Sequence, residues 1–205
     1  MPDAGAILFD IGGVLLTNGW DHTERKRVFE HFSIDPPPYE QRHGPANDLW
    51  EKGLITAEEF LARTVFFEPR RFTPAEFLEQ MKVQSRELPP GRGAMDTLRR
   101  LHAAGGVKLA AISNEARELT NHRIGHFHLD RYFEAFFISC YLGLRKPDPR
   151  IFMVALDVLQ LRPEETVFVD DRPENCAAAK SVGMRAIHFL DESQFNGELQ
   201  SLVNL

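Results

Sequence analysis

Five short, near-continuously apolar segments constrain the fold of this 205-residue chain more than any other feature. They are Ala6–Asp10 (AILFD), Val107–Ile112 (VKLAAI), Phe136–Ser139 (FFIS), Thr166–Asp170 (TVFVD) and Arg185–Phe189 (RAIHF). None alternates polar with apolar, so each predicts a strand covered on both faces, as in a parallel sheet. Helical patterns separate the later ones: 93–104, running into AAGG, 149–160, with Pro149 in its first turn, and 173–182, stopping at Gly183. Strands alternating with helices predict an α/β fold, a three-layer, doubly wound parallel sheet of Rossmann-like type.

The stretch 16–88 breaks that alternation and reads as helices only, over 21–32, 38–52, 57–66 and 74–86. Thr56 with Glu59 makes a capping box, and Thr73-Pro74 an N-cap followed by proline at the first helical position. DPPP at 35–38 and LPPG at 88–91 punctuate the block. An all-helical insertion after the first strand predicts a cap: 1–15 and 89–205 form the core, and 16–88 the helical cap.

A formal charge of -6 and the lack of a basic run argue against a nucleic-acid partner, and mean that an anionic ligand needs a locally positive site. RKR at 25–27 reads as the solvated face of a helix. Two cysteines, Cys140 and Cys176, with no CxxC, predict neither a disulfide framework nor zinc, and a reducing, cytoplasmic setting. MPDAGAILFD has no basic leader, and no apolar run approaches the ~20 residues of a membrane span.

In an open parallel sheet, ligands bind beyond the carboxyl ends of the strands. Asp10 ends the first predicted strand, Ser113-Asn114 follows the second, Lys146 lies in the loop after the third, and Asp170-Asp171 ends the fourth. Singly, each has an ordinary reading as a cap or a surface residue. Together they are a site. Three aspartates at one crevice repel one another and raise each other's pKa values, which a hard divalent cation such as Mg²⁺ relieves. A lysine with Ser-Asn donors at a helix N-terminus makes the complementary seat for a phosphoryl group. A metal, an anion seat and a carboxylate nucleophile are the parts of phosphoryl transfer. The expected partner is therefore a small phosphorylated metabolite, with no nucleic acid and no membrane; protein partners cannot be read.

Four motifs in order give a family resemblance over essentially the whole chain. LFDIGGVL, AAISNE, LRKPDPRIF and VFVDDRPENCAAAKSVGM resemble the nucleophile, Ser/Thr, lysine and acidic motifs of the haloacid dehalogenase-like hydrolase superfamily. LWEKGLITAEEF resembles the helical caps of the subgroup containing soluble epoxide hydrolase phosphatase domains and bacterial glucose-1-phosphate phosphatases. The resemblance implies a Mg²⁺-dependent phosphatase acting on a small phosphomonoester, such as a sugar phosphate. Asp10 would form an aspartyl-phosphate. Ser113 and the Asn114 backbone N–H would hold the phosphoryl oxygens, and Lys146 would neutralise charge. Asp171 would be the main Mg²⁺ ligand, with Asp170, Asp10 and the Gly12 backbone carbonyl, and Asn175 in support.

One position departs from the pattern. Most phosphatases of the superfamily carry a general acid/base aspartate where this chain has Gly12. Positioned acid–base catalysis contributes ~10²–10⁴ in rate, so its loss matters. Three outcomes follow: substrates with good leaving groups, a substitute acid, or a phosphometabolite-binding protein that turns over poorly. Candidate substitutes are His22, His43 and Glu115; His122, His126 and His128 read as structural. Arg42, His43, Asn47 and Trp50 are candidates for leaving-group contacts, with Trp50 equally suited to the cap core. A dehalogenase of the same fold is a weaker alternative, because a metal-free enzyme has no use for the paired DD.

Overall fold

The structure, a computed structural model, describes residues 4–202; the ends of the expected core, 1–3 and 203–205, lie outside the described residues. Five parallel strands form one sheet in the order β3-β2-β1-β4-β5: β1 (Ala6–Phe9), β2 (Lys108–Ser113), β3 (Ala135–Ile138), β4 (Thr166–Asp170) and β5 (Arg185–His188). The central strand is β1, whose Ile7 faces Leu109 of β2 on one side and Val167 of β4 on the other. Each expected strand is present, shifted by at most a residue or two. Asp10 falls just past β1, and Ser139 opens a short helix, α7 (Ser139–Leu142), instead of closing β3.

Alternate residues of β1 serve opposite faces. Ile7 and Phe9 pack with α5 (Met95–Ala104) and α10 (Glu192–Leu199) through Leu98, Leu101 and Phe195. Ala6 and Leu8 pack with α8 (Pro149–Leu159) and α9 (Pro173–Ser181) through Phe152, Ala155 and Ala179. This is the three-layer arrangement read from the apolar runs.

The stretch between β1 and α5 is helical, as expected: α1 (His22–Phe32), α2 (Pro36–Glu51), α3 (Ala57–Thr64) and α4 (Pro74–Lys82). They enclose their own cluster of Val28, Phe29, Tyr39, Phe60 and Phe77, to which Ala116 and Leu119, at the start of α6 (Arg117–His126), contribute. The capping boxes at Thr56/Glu59 and Thr73/Glu76 are both formed. Helix α2 begins earlier than read because Pro36 and Pro37 occupy its first turn, where backbone N–H groups have no helical partner anyway.

Two antiparallel threads connect this block to the sheet. Thr17 N–H donates to Arg86 O (2.8 Å) and Leu88 N–H to Leu15 O (3.2 Å), so entry and exit run side by side. Cys140 and Cys176 are buried free thiols. No helix among the described residues is long and apolar enough to cross a membrane.

Candidate active site

Asp10 stands at the carboxyl end of the central strand, its own N–H donating to Val169 O (2.8 Å) on β4. Its Oδ1 accepts from Ile11 N–H (2.7 Å) and the Ser113 hydroxyl (2.8 Å), and Lys146 Nζ lies 2.9 Å from its Oδ2. The Lys146 ammonium also donates to Asp170 Oδ2 (2.6 Å) and Ile112 O (2.9 Å), which uses all three of its protons. Asn114 does not act from a helix N-terminus, because α6 starts three residues later; its side chain instead pins the Lys146 backbone, accepting from N–H and donating to C=O (both 2.8 Å). Side chains from β2 and the loop after β3 thus hold one carboxylate in place.

Oxygens of Asp10, Asp170 and Asp171 lie within 4.8 Å of one another. Asp170 is wholly buried, its oxygens taken by Arg172 N–H, Asn175 Nδ2 and Lys146. Asp171 differs: its buried Oδ1 has no partner. Burial pushes the Asp10 carboxyl up to about 7 despite the opposing charge of Lys146, with Asp170 adding to the rise. Burial and then Asp170 raise Asp171 as well. Burial works against the Lys146 charge, but Asp10 and Asp170 outweigh it and hold the ammonium charged. One ammonium among three carboxylates leaves negative charge uncompensated. An all-oxygen donor set with an orphaned carboxylate oxygen fits a hard divalent cation such as Mg²⁺. Asp171 does not cap α9, whose N-cap is Arg172.

The two glycines after Asp10 differ. Gly13 has φ +76°, and a Cβ there would overlap the Asp171 carboxylate. Gly12 is less constrained: a Cβ would lie 3.2 Å from Asn18 Oδ1 and 3.8 Å from an Arg123 guanidinium nitrogen.

A cavity of about 500 Å³ opens above Asp10 between the sheet edge and α1–α2. His22, His43, Asn47 and Trp50 line it; Trp50 also stacks on Phe60 (4.2 Å between ring centroids), serving core and wall together. Arg42 does not: it lies over the Phe67 ring and donates to Pro38 O. The RKR reading needs correction too, because Arg25 is buried in the cavity wall. It donates to Trp20 O (2.9 Å), Glu40 (3.2 Å) and His22 Nδ1 (2.8 Å). Its spacing of three from His22, behind an Asp21 N-cap, was the available signal.

Burial and then Arg25 and His22 depress His43 to about 4. Glu115, a candidate acid, meets Arg123 at 2.5 Å and accepts from Thr120 (3.3 Å). Burial raises its pKa and Arg123 opposes the rise. Arg123, 1% exposed, also donates to Thr17 O, and nothing in the sequence marks it. Arg145, beside Lys146, pairs with Glu51 of α2 at 2.5 Å. His122 and His126 stack on each other on α6, outside the cavity lining.

A family model described as haloacid dehalogenase-like hydrolase matches residues 4–183. Flavin mononucleotide hydrolase 1 of Arabidopsis thaliana is 33% identical over 159 residues, 75% of this chain and 60% of that protein. The chain therefore spans under two thirds of that relative's length. Sesquiterpene phosphatase astK of Aspergillus oryzae is 33% identical over 216 residues, 97% of this chain and 96% of that protein. Among solved structures, a HAD family enzyme from Bacteroides thetaiotaomicron, crystallised with magnesium and inorganic phosphate, superposes with a TM-score of 0.76 at 21% identity, covering 90% of this chain and 93% of that one.

Proposed function

The chain belongs to the haloacid dehalogenase-like hydrolase family, and on that premise we propose that it hydrolyses a small phosphomonoester, a sugar phosphate being one candidate, through an aspartyl-phosphate on Asp10. The observation carrying this reading is a buried carboxylate fixed by Ser113, Ile11 N–H and Lys146 beside the unpartnered carboxylate oxygen of Asp171. Similarity to a flavin mononucleotide hydrolase and a sesquiterpene phosphatase supports phosphate esters as the substrate class.

In this proposal Asp10 attacks phosphorus and the bond to the leaving oxygen breaks. Lys146 offsets the charge gathering on nucleophile and phosphoryl group, and the Ser113 hydroxyl and Asn114 N–H hold phosphoryl oxygens. Asp171 and Asp10, with Asp170 and the Gly12 carbonyl, would hold Mg²⁺, which supplies charge neutralisation at the phosphoryl oxygens when bound. Residues 16–88 act as a cap that closes over the crevice and excludes water from the nucleophile. A non-catalytic phosphate-binding role is the second reading, favoured by the missing side chain at Gly12.

The deciding experiment is p-nitrophenyl phosphate hydrolysis with and without Mg²⁺, with Asp10→Asn as the blank. Mg²⁺-dependent turnover abolished in the variant is the expected result. Turnover equal to the blank sinks the phosphatase reading and leaves the binding role.

A further inference from the structure

The oxygen that leaves a phosphomonoester either takes a proton as it departs or is acidic enough to depart as an anion. The cavity wall bears on which applies, because most of the titratable side chains among its described lining residues are held by a neighbouring donor or cation.

Glu115 has the strongest reason to hold a proton, since burial raises its pKa. Yet its Oε1 faces Arg123 at 2.5 Å and its Oε2 accepts from Thr120. A guanidinium has no lone pair to receive an O–H, so a proton there would break the pair. Glu51 accepts from Asn47 (2.9 Å) at one oxygen, and its other oxygen, which accepts no hydrogen bond, faces the Arg145 guanidinium at 2.5 Å, a charge that favours the carboxylate. Glu40 accepts from Arg25, and Asp21 from His22 N–H (2.7 Å) and Asn18 (3.4 Å).

The histidines are no better placed to give a proton. His22 Nδ1 lies 2.8 Å from an Arg25 guanidinium nitrogen, which can only donate. A proton on Nδ1, which a proton-donating imidazolium would carry, would break that contact. Burial, Arg25 and His22 keep His43 neutral. The protons of Lys146 are bound by Asp10, Asp170 and Ile112 O. Among the described residues lining the cavity, Glu174, exposed on α9, is the carboxylate with neither a hydrogen bond nor an ion pair.

We propose that the enzyme acts on esters of acidic hydroxyls (anomeric, enolic or aromatic oxygens) and not on simple alkyl phosphates. This rests on the phosphatase reading above. As Asp10 forms its bond to phosphorus, the electron pair of the breaking P–O bond stays on the leaving oxygen, which departs as an anion and is protonated by water afterwards.

The test uses full-length protein with Mg²⁺ on a series of aryl phosphates of graded leaving-group acidity, and on the 1- and 6-phosphates of one hexose. Expected are a steep fall of kcat/KM along the aryl series and an advantage of ~10²–10⁴ for the 1-phosphate, the contribution an absent acid leaves unsupplied to an alkyl ester. A shallow aryl series with equal hexose phosphates overturns the inference while leaving the phosphatase intact. Absence of p-nitrophenyl phosphate turnover overturns both. Glu174→Gln should leave the aryl slope where it was; a steeper slope in that variant would identify Glu174 as a proton donor and overturn the inference.

Discussion

Gly13 and Asp171 share a space that admits only one side chain. With φ at +76° and the Asp171 carboxylate where a Cβ would stand, Gly13→Ala should cost at least ~1 kcal/mol of stability and displace the orphaned oxygen. Metal-dependent activity should fall with it. Gly12→Ala is the control: its nearest neighbour is a side-chain oxygen at 3.2 Å that can move, so Tm should change little. Equal Tm and activity in both variants would refute the distinction. His43 makes a second residue-scale prediction. Its folded pKa of about 4 lies below the ordinary 6.5, because of burial, then Arg25 and His22, with Asn47 and Asp21 opposing. The unfolded chain then binds the proton first, so this contribution to stability is present above about 6.5 and is lost as pH falls through about 4. His43→Gln should flatten denaturation midpoints measured across that window; an unchanged pH profile would count against it. Asp10, Ser113 and Asp171 were legible in the sequence because each ends or directly follows a strand at the sheet edge where ligands bind, and Lys146 because its loop lies between β3 and α8 at that edge. Arg25, Arg123 and Arg145 were not. A long cation reads as solvated until a tertiary partner is known, and theirs are Glu40, Glu115 and Glu51.

Helices were legible where a local stop or start signal exists. Thr56/Glu59 and Thr73/Glu76 announced α3 and α4 and both boxes are formed, whereas α10, with Asn196 and Gly197 inside it, carries no comparable pattern beyond its Asp191 cap. The helix α6 holds mainly polar residues, and only its first turns reach a core, at Leu119. Thr73→Ala removes an acceptor for Glu76 N–H (3.2 Å) and should lower stability by about 1 kcal/mol. Because Thr73 lies outside the cavity lining, kcat/KM should be unaffected at temperatures well below the transition. A drop in kcat/KM with Tm unchanged would mean that α4 takes part in turnover and is not only a support.

Among the described residues, polar ties join the proposed cap to the core, and one of them lies beside Lys146. Arg145 pairs with Glu51 at 2.5 Å and reaches Asp48 at 3.7 Å, while Trp50 Nε1 donates to Glu118 (3.1 Å). All three contacts join α2 to the core, and the paired threads at Thr17 and Arg86 would serve as the hinge. Side chains on this pair are 32% and 17% exposed, so solvent screens it and its worth is bounded by that of surface pairs, ~0.2–1 kcal/mol. If the pair holds the cap closed, Arg145→Ala shifts the balance towards the open form by that amount and raises KM up to ~5-fold, with kcat little changed. Salt provides the check, since screening weakens an ion pair without touching the apolar cluster of α1–α4. Wild-type kcat/KM should decline with added NaCl more steeply than that of the variant, because the variant has already lost the screened contact. Identical salt slopes would place the closing force elsewhere, in the apolar contact of Ala116 and Leu119 with the α1–α4 cluster.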